Sequence, residues 1–291
     1  MSDIIFPNLG ITFENVNRIA FSIFGISIYW YAIFVVIGIG AGYFFGGVYA
    51  PKKTGQDPKV YTDFAIWVIP AAILGGRLFY LIFSPWPAGA NFFHLFNLRA
   101  GGIAIWGVII TAILVSFLYA RHKKINFLNF VDTAIVGLII GHVIGRFGNF
   151  MNREAFGGFA ANNNPFAMQI RLDQVHNINN VTSDMLSNSI IREGIEYIQV
   201  HPVMLYEAAI NLALFIFLNI YRKHKKFDGE LIAMYLVSYG ITRFFLETLR
   251  TDQLHIGGSG IAIAHILSAL AAVLGGAMLV RGYMKVKKKA A

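Results

Sequence analysis

The chain has 291 residues, 56% of them hydrophobic and only 13% charged, with a net charge of +9 and a positive mean hydropathy. That balance lies outside ordinary soluble composition, and the absence of cysteine excludes disulfides, thiolate metal sites and a cysteine nucleophile within the chain. Apolar runs of about 18 to 25 residues recur, each long enough to cross roughly 30 Å of hydrocarbon as a helix, while the alternating segments of about ten residues that build a transmembrane barrel are missing.

These features predict an all-α, polytopic membrane helix bundle. No internal repeat or linker divides it, so residues 1–291 are expected to form a single integral membrane domain. The first 18 residues contain Asp3, Glu14 and Arg18 and no basic cluster, unlike the start of a cleaved signal peptide, so the first span is expected to be retained. About seven spans are predicted, near residues 19–49, 61–83, 102–120, 128–150, 202–221, 230–250 and 260–281. Between the fourth and fifth lies a long external segment, residues 151–200, which is rich in asparagine and holds no lysine. Connections of this length in compact proteins are usually functional or mobile.

Basic residues give an orientation. Fifteen of the 24, including every lysine, follow the first, third, fifth and seventh spans. By the positive-inside rule those loops and the C-terminus are cytoplasmic, with the N-terminus outside. The same asymmetry accounts for the net positive charge without nucleic-acid binding, which is not expected.

Span four carries Gly137, Gly141, Gly145 and Gly148 at spacings of four, four and three, one helix face that allows close approach by a neighbour or makes room for a lipid headgroup. It ends in "GRFGNFMNREAFGG", residues 145–158, an abrupt burst of charge after an apolar run. A charge within hydrocarbon costs about 2.5–3.5 kcal/mol on insertion scales and so requires a partner, water or a function. On the predicted topology Arg77, Arg146, Arg153, Glu207, Arg243, Glu247 and Arg250 share the outer ends of their spans, with Tyr31 in the outer half of span one and Gly101-Gly102 opening span three.

Arg243, Glu247 and Arg250 follow one another by four and three residues, and Arg146, Asn149 and Arg153 by three and four, so each trio forms one helical stripe. Either stripe alone suits an internal salt-bridge network. Two at one depth, with Arg77, supply more cations than nearby carboxylates neutralise, which favours an anionic ligand. Arginine suits phosphate because its planar fork gives paired hydrogen bonds and keeps its charge. The natural anion at that depth is a phospholipid headgroup.

The motif at residues 145–158 resembles the signature of the bacterial prolipoprotein diacylglyceryl transferases. "YWY" at 29–31, "GGRLFY" at 75–80, "GGIAI" at 101–105, "HPVMLYE" at 201–207 and "YGITRFFLETLR" at 239–250 resemble further blocks of that family in the same order. The resemblance implies transfer of diacylglyceryl from phosphatidylglycerol to the lipobox cysteine of a prolipoprotein signal peptide, at the outer leaflet of the bacterial cytoplasmic membrane, as the first step of lipoprotein maturation. It implies headgroup binding by Arg146 with Asn149, and catalytic positions at Tyr31, Glu154, Arg243, Glu247 and Arg250. Arg77, Gly101, Gly102 and His201 are the remaining candidates for substrate binding.

One position departs from the family pattern. Many relatives carry His-Gly-Gly where this chain has Trp106-Gly107-Val108, and indole cannot accept a proton. His142, His201, Glu154 and Glu247 are the substitutes within reach of the sequence. An arginine-rich mouth could instead raise the thiolate fraction directly. No GxSxG, HExxH or clustered His/carboxylate set appears, so neither a covalent enzyme intermediate nor a metal or other cofactor is expected. The rival reading from another class is a phospholipid or anion transporter or flippase, which would require polar groups near mid-membrane, inverted repeats or broken helices.

Overall fold

A computed structural model describes residues 2–83, 95–97, 102–255 and 260–290. It is predominantly helical, and among the described residues six helical runs are long and apolar enough to cross a membrane: Trp30–Thr54, Pro58–Phe83, Ile105–His122, Phe127–Asn152, Val203–His224 and Ile263–Ala290. Internal contacts divide the chain into two compact units, residues 43–135 and residues 1–42 with 136–291.

The larger unit opens on β1 (Ser2–Phe6) and β2 (Ile11–Glu14), followed by a separate hairpin of β3 (Ile19–Ile23) and β4 (Ile26–Tyr29) and then by helix α1 (Trp30–Gly42). The hairpin corrects the expected start of span one at residue 19. Residues 19–29 are apolar, but two-residue alternation around Ser22 and Ser27 suits paired strands, and Phe24-Gly25 supplies two consecutive positive φ values, 49° and 76°, the requirement of a tight hairpin turn.

In the smaller unit a π-helical stretch, Tyr43–Tyr49, leads into α2 (Ala50–Thr54), then α3 (Pro58–Phe83) and α4 (Ile105–His122). Small residues let α3 and α4 approach closely: a Cβ on Gly107 would lie 2.4 Å from the Gly75 carbonyl oxygen. Tyr61, Tyr119 and Phe130 form the aromatic core at the other end of this pair, where the Tyr119 hydroxyl donates to the Val60 carbonyl at 2.7 Å. A cavity of about 290 Å³ is lined there by Gln56, Tyr61, Asn126 and Phe130 among others, none of them a candidate site residue.

Helix α5 (Phe127–Asn152) brings the chain back into the larger unit. Its glycine face meets α1, with a Cβ on Gly42 falling 2.9 Å from the Gly137 carbonyl oxygen and one on Gly38 falling 3.1 Å from that of Gly141. Gly148 seats the ring of Tyr31, whereas Gly145 has open space around its Cβ position. Three of the four predicted glycines therefore serve packing.

Residues 151–200 fold as a small head. β5 (Met168–Arg171), α6 (Ser183–Ser187), β6 (Ile190–Arg192) and β7 (Ile195–Val200) combine with the N-terminal strands in an antiparallel sheet of order β2-β1-β5-β7-β6. Its register pairs Ile4 with Ile170 and Ile170 with Ile198, so one row of β-branched side chains spans three strands. These residues, with Phe6, Phe156, Met168, Met185 and Met204, form a buried core that also receives Phe150 from the end of α5. The sheet is a minor addition to the expected all-helical bundle, and it anchors the end of the helix that carries the signature.

Helices α7 (Val203–Tyr221), α8 (Glu230–Glu247) and α9 (Ile263–Ala290) complete the unit. Helix α8 occupies the sixth predicted span but is not among the six apolar runs. Its 18 residues include Glu230, Arg243 and Glu247, which make it less plainly apolar than the other six. It packs closely against α9, with Gly240 against the Ser268 carbonyl and Gly275 against that of Ala233.

Candidate active site

The signature helix presents His142, Arg146 and Asn149 at spacings of four and three, one stripe along α5. Glu207 faces that stripe from the first turns of α7, only 1% exposed. Arg146 Nη2 donates to Glu207 Oε1 at 2.7 Å, and His142 Nε2 lies 3.0 Å from the same oxygen. From α8, Arg243 Nη1 lies 3.5 Å from Glu207 Oε2 and Arg243 Nη2 lies 2.7 Å from Glu247 Oε2. Arg250 follows, with Nε 3.9 Å from Glu247 and a two-pronged pair to Asp252 at 2.8 and 2.6 Å. Three helix ends thus converge on one buried carboxylate.

The two predicted stripes fare differently. Arg243, Glu247 and Arg250 come together as expected, although α8 ends at Glu247 and Arg250 is fixed to Asp252. Arg153 does not join Arg146 and Asn149. Helix α5 stops at Asn152, Arg153 takes φ +54°, and its guanidinium turns into the head, donating to the carbonyls of Val16 at 2.8 Å and Gln174 at 3.2 Å. Burial and the neighbouring Arg18 charge lower its pKa from the usual guanidinium value. Ala155 also has a positive φ, +58°, and the sharp reversal returns Glu154 toward the helix.

Glu154 consequently accepts from Asn149 Nδ2 at 2.8 Å and Asn152 Nδ2 at 3.3 Å, while Asn149 Oδ1 accepts from Arg146 Nη1 at 3.2 Å. Beyond it, His176 Nε2 stands 3.6 Å from Glu154 Oε2, and Arg18 reaches His176 at 3.3 Å. A continuous polar chain therefore runs from the Glu207 cluster into the head.

His201 lies in the turn before α7 and makes no side-chain contact with the arginines among the described residues. Asn164 Nδ2 meets its Nδ1 at 3.1 Å, and its backbone binds Gly157 and Gly158. Gly158 also donates to the Leu249 carbonyl at 2.7 Å, so this glycine pair ties the turn to the chain just before Arg250. Burial lowers the His201 pKa from its ordinary value, which keeps the ring neutral as an acceptor for Asn164.

Arg77 and Gly102 belong to the smaller unit. Arg77 is buried and donates to the Gly102 carbonyl at 2.9 Å. Gly102 has φ +81°, where a Cβ would strike the Tyr80 ring. Trp106 opens the first turn of α4, and Gly101 lies outside the described residues.

In direct contact, three guanidinium groups (Arg146, Arg243, Arg250) face three carboxylates (Glu207, Glu247, Asp252), so excess positive charge does not mark this cluster. Unused donors do. Arg146 Nε, Arg243 Nη1 and Arg250 Nη1 are buried without a hydrogen-bond acceptor among the described residues. Even the close Arg243–Glu247 ion pair leaves Glu247 Oε2 without an aligned hydrogen bond. Leaving a buried polar group unsatisfied costs about 1–3 kcal/mol, and more for a charged one. Buried guanidinium N–H groups without acceptors on three neighbouring arginines suit an acceptor-rich anion.

The sequence groups Glu207 with the arginines without marking it as the hub they share. The available signal was its isolation: it is the one carboxylate within the apolar run 203–224, and such a group needs cationic partners.

Fold and cluster together define a multi-pass helical membrane protein with a buried cluster of arginines and carboxylates where helix ends meet. The sequence model of prolipoprotein diacylglyceryl transferase matches residues 18–281, and the chain belongs to that family. Proteins designated phosphatidylglycerol–prolipoprotein diacylglyceryl transferase resemble it over nearly their whole lengths. That of Finegoldia magna is 33% identical over 270 residues, covering 92% of this chain and 96% of the relative. That of Clostridioides difficile is 34% identical over 273 residues, covering 94% and 97%. That of Enterococcus faecalis is 36% identical over 255 residues, covering 87% and 86%.

Proposed function

We propose that this protein transfers diacylglyceryl from phosphatidylglycerol to the lipobox cysteine thiol of prolipoprotein signal peptides. The names of its relatives specify phosphatidylglycerol and prolipoprotein, and the three unused guanidinium donors around Glu207 and Glu247 supply the matching phosphate chemistry. The protein sits as one integral domain in the bacterial cytoplasmic membrane, N-terminus outside, with the arginine cluster in the outer leaflet away from the lysine-rich loops. It needs no nucleic acid.

Arg146, Arg243 and Arg250 hold the phosphodiester through their unused N–H groups, with Asn149 and Glu154 fixing the orientation of Arg146. Tyr31, seated on Gly148 of the signature helix, borders this site. The cysteine thiolate attacks the diacylglyceryl carbon bonded to the phosphate ester oxygen. A C–S bond forms, the C–O bond breaks, and its electron pair leaves on glycerol phosphate. Fixed guanidinium groups stabilise the charge gathering on the leaving phosphate and replace solvent that would otherwise have to reorganise.

The test combines purified protein, phosphatidylglycerol and a lipobox peptide, with mass spectrometry reporting the diacylglyceryl thioether and released glycerol phosphate. Arg146→Ala is expected to lower turnover by about two to three powers of ten, the usual effect of removing one such donor. Near-normal turnover would reject its assignment.

A further inference from the structure

We propose that His142 is the group that takes the proton from the substrate thiol, held in the required tautomer by Glu207. This inference rests on the transferase reading above. Trp106 removes one proton acceptor from the chain, and a neutral thiol with a pKa near 8.5 is only slightly ionised at neutral pH. Something must accept that proton.

Among the candidates raised by the sequence, His142 alone combines a basic nitrogen with the geometry. Glu154 accepts two amide hydrogens and Glu247 sits between Arg243 and Arg250, so both carboxylates are committed to donors or cations. His201 is held by Asn164 in the head. His142 Nε2 stands 3.0 Å from Glu207 Oε1 and 3.0 Å from Arg146 Nη2. Arg146 Nη2 already donates to Glu207 at 2.7 Å, and the carboxylate favours a proton on the imidazole nitrogen facing it. In the proposed tautomer Nε2 carries the hydrogen and donates to Glu207 instead of accepting from Arg146 Nη2, whose own hydrogen goes to the same carboxylate, and the lone pair lies on Nδ1.

The surroundings fit the role. Glu207 on α7 is 1% exposed at its side chain, whereas His142 on α5 is 23% exposed, so the carboxylate is sealed and the imidazole has an open edge. From α8, Arg243 lies 3.5 Å from Glu207 and the Tyr239 ring centroid lies 5.9 Å from that of His142. Glu207 offsets the charge of the imidazolium formed, the part played by the orienting carboxylate in other His-based dyads. Arg146, one turn along from His142, binds the phosphate whose leaving group drives the reaction. In balance, the thiol proton moves from sulfur to Nδ1, sulfur bonds to the glyceryl carbon as the C–O bond to phosphate breaks with its electron pair on glycerol phosphate, and the proton passes to that phosphate or to water.

The decisive experiment compares wild type with His142→Gln, whose amide retains a donor for Glu207. Each is tested in phosphatidylglycerol vesicles with a lipobox peptide and with the same peptide carrying selenocysteine, whose selenol is ionised at neutral pH. At pH 7 the variant is expected to lose about 100-fold or more with the cysteine peptide, as for loss of a general base. That deficit should shrink by up to about tenfold per pH unit below the thiol pKa. With selenocysteine it should fall within about threefold of wild type, which also demonstrates an intact fold. An equal deficit at pH 7 and pH 9, or an equal deficit with both peptides, overturns the proposal. If wild type itself makes no thioether, the transferase reading fails too; wild-type product with a pH-independent deficit sinks only the role of His142.

Discussion

Glu207→Gln removes one charge and keeps the shape, which isolates what the central carboxylate contributes. In the wild type it receives Arg146 at 2.7 Å, His142 at 3.0 Å and the Arg243 guanidinium at 3.5 Å while almost fully buried. The amide can accept one of these donors, but it presents its own hydrogens to the rest and leaves two arginines facing a neutral group. Breaking one partner of a buried ionic cluster usually costs about 3–5 kcal/mol because the remaining charge stays desolvated. The same substitution releases His142 and Arg146 from their shared anchor, so transfer should fall by at least two powers of ten. Stability is read by denaturant titration of the detergent-solubilised protein, and turnover by thioether formation. A loss below about 1 kcal/mol, the size of an exposed ion pair, would show that Glu207 is solvated in the working protein and would refute the hub.

Contrasting glycine substitutions on α1 and α5 test the packing. A Cβ at Gly42 meets the Gly137 carbonyl at 2.9 Å, so Gly42→Ala should destabilise by about 1–3 kcal/mol in the same titration. Gly145→Ala meets nothing within 4 Å and should be neutral or stabilising by up to about 1 kcal/mol. Phe156→Ala, in the head core at 2% exposure, should cost about 3–5 kcal/mol and loosen the segment carrying Glu154, seen as faster amide exchange over residues 151–200. His201 has its folded pKa lowered by burial, so the unfolded chain binds more protons in the window just below the ordinary histidine value of about 6.5. Its contribution is complete above that value and declines as pH falls toward the depressed folded pKa; His201→Gln should flatten melting temperature against pH across that window, and an unchanged slope would argue against it.

The helices were legible because runs of 18 to 28 apolar residues have little alternative to crossing a membrane, and four glycines on one face of α5 announced a close neighbour. The β3–β4 hairpin was hidden because hydrophobicity alone merges residues 19–29 with the helix that begins at Trp30; the alternation and the Phe-Gly turn were present but outweighed by average hydropathy. Helix α8 lies where the sixth span is expected, and its charges set it apart from the plainly apolar runs. Helical spacing united Arg243, Glu247 and Arg250 but wrongly added Arg153, since spacing predicts a shared face only while the helix continues and α5 ends one residue earlier. Glu154 lay beyond such reasoning: its return to Asn149 depends on left-handed backbone at Arg153 and Ala155, stabilised by long-range contacts to Val16 and Gln174.

On the proposed function, these details explain how buried arginines can be neutralised and still offer donors to a phosphate. Three arginines without carboxylates would repel one another and resist burial; fully satisfied by carboxylates, they would have nothing left for phosphate. Glu207, Glu247 and Asp252 neutralise the set while Arg146 Nε and Arg250 Nη1 keep no hydrogen-bond acceptor and Arg243 Nη1 has only a 3.5 Å ion-pair contact to Glu207. The guanidinium fork makes this division workable, because one group offers five N–H donors and can hold a carboxylate on one edge while presenting another. Lysine, a single point charge, could not divide its edges in this way, which gives the all-arginine composition of the cluster a physical reason. The fold therefore sets aside directed donors rather than net charge, and directed donors also discriminate a tetrahedral phosphate from the carboxylates already present.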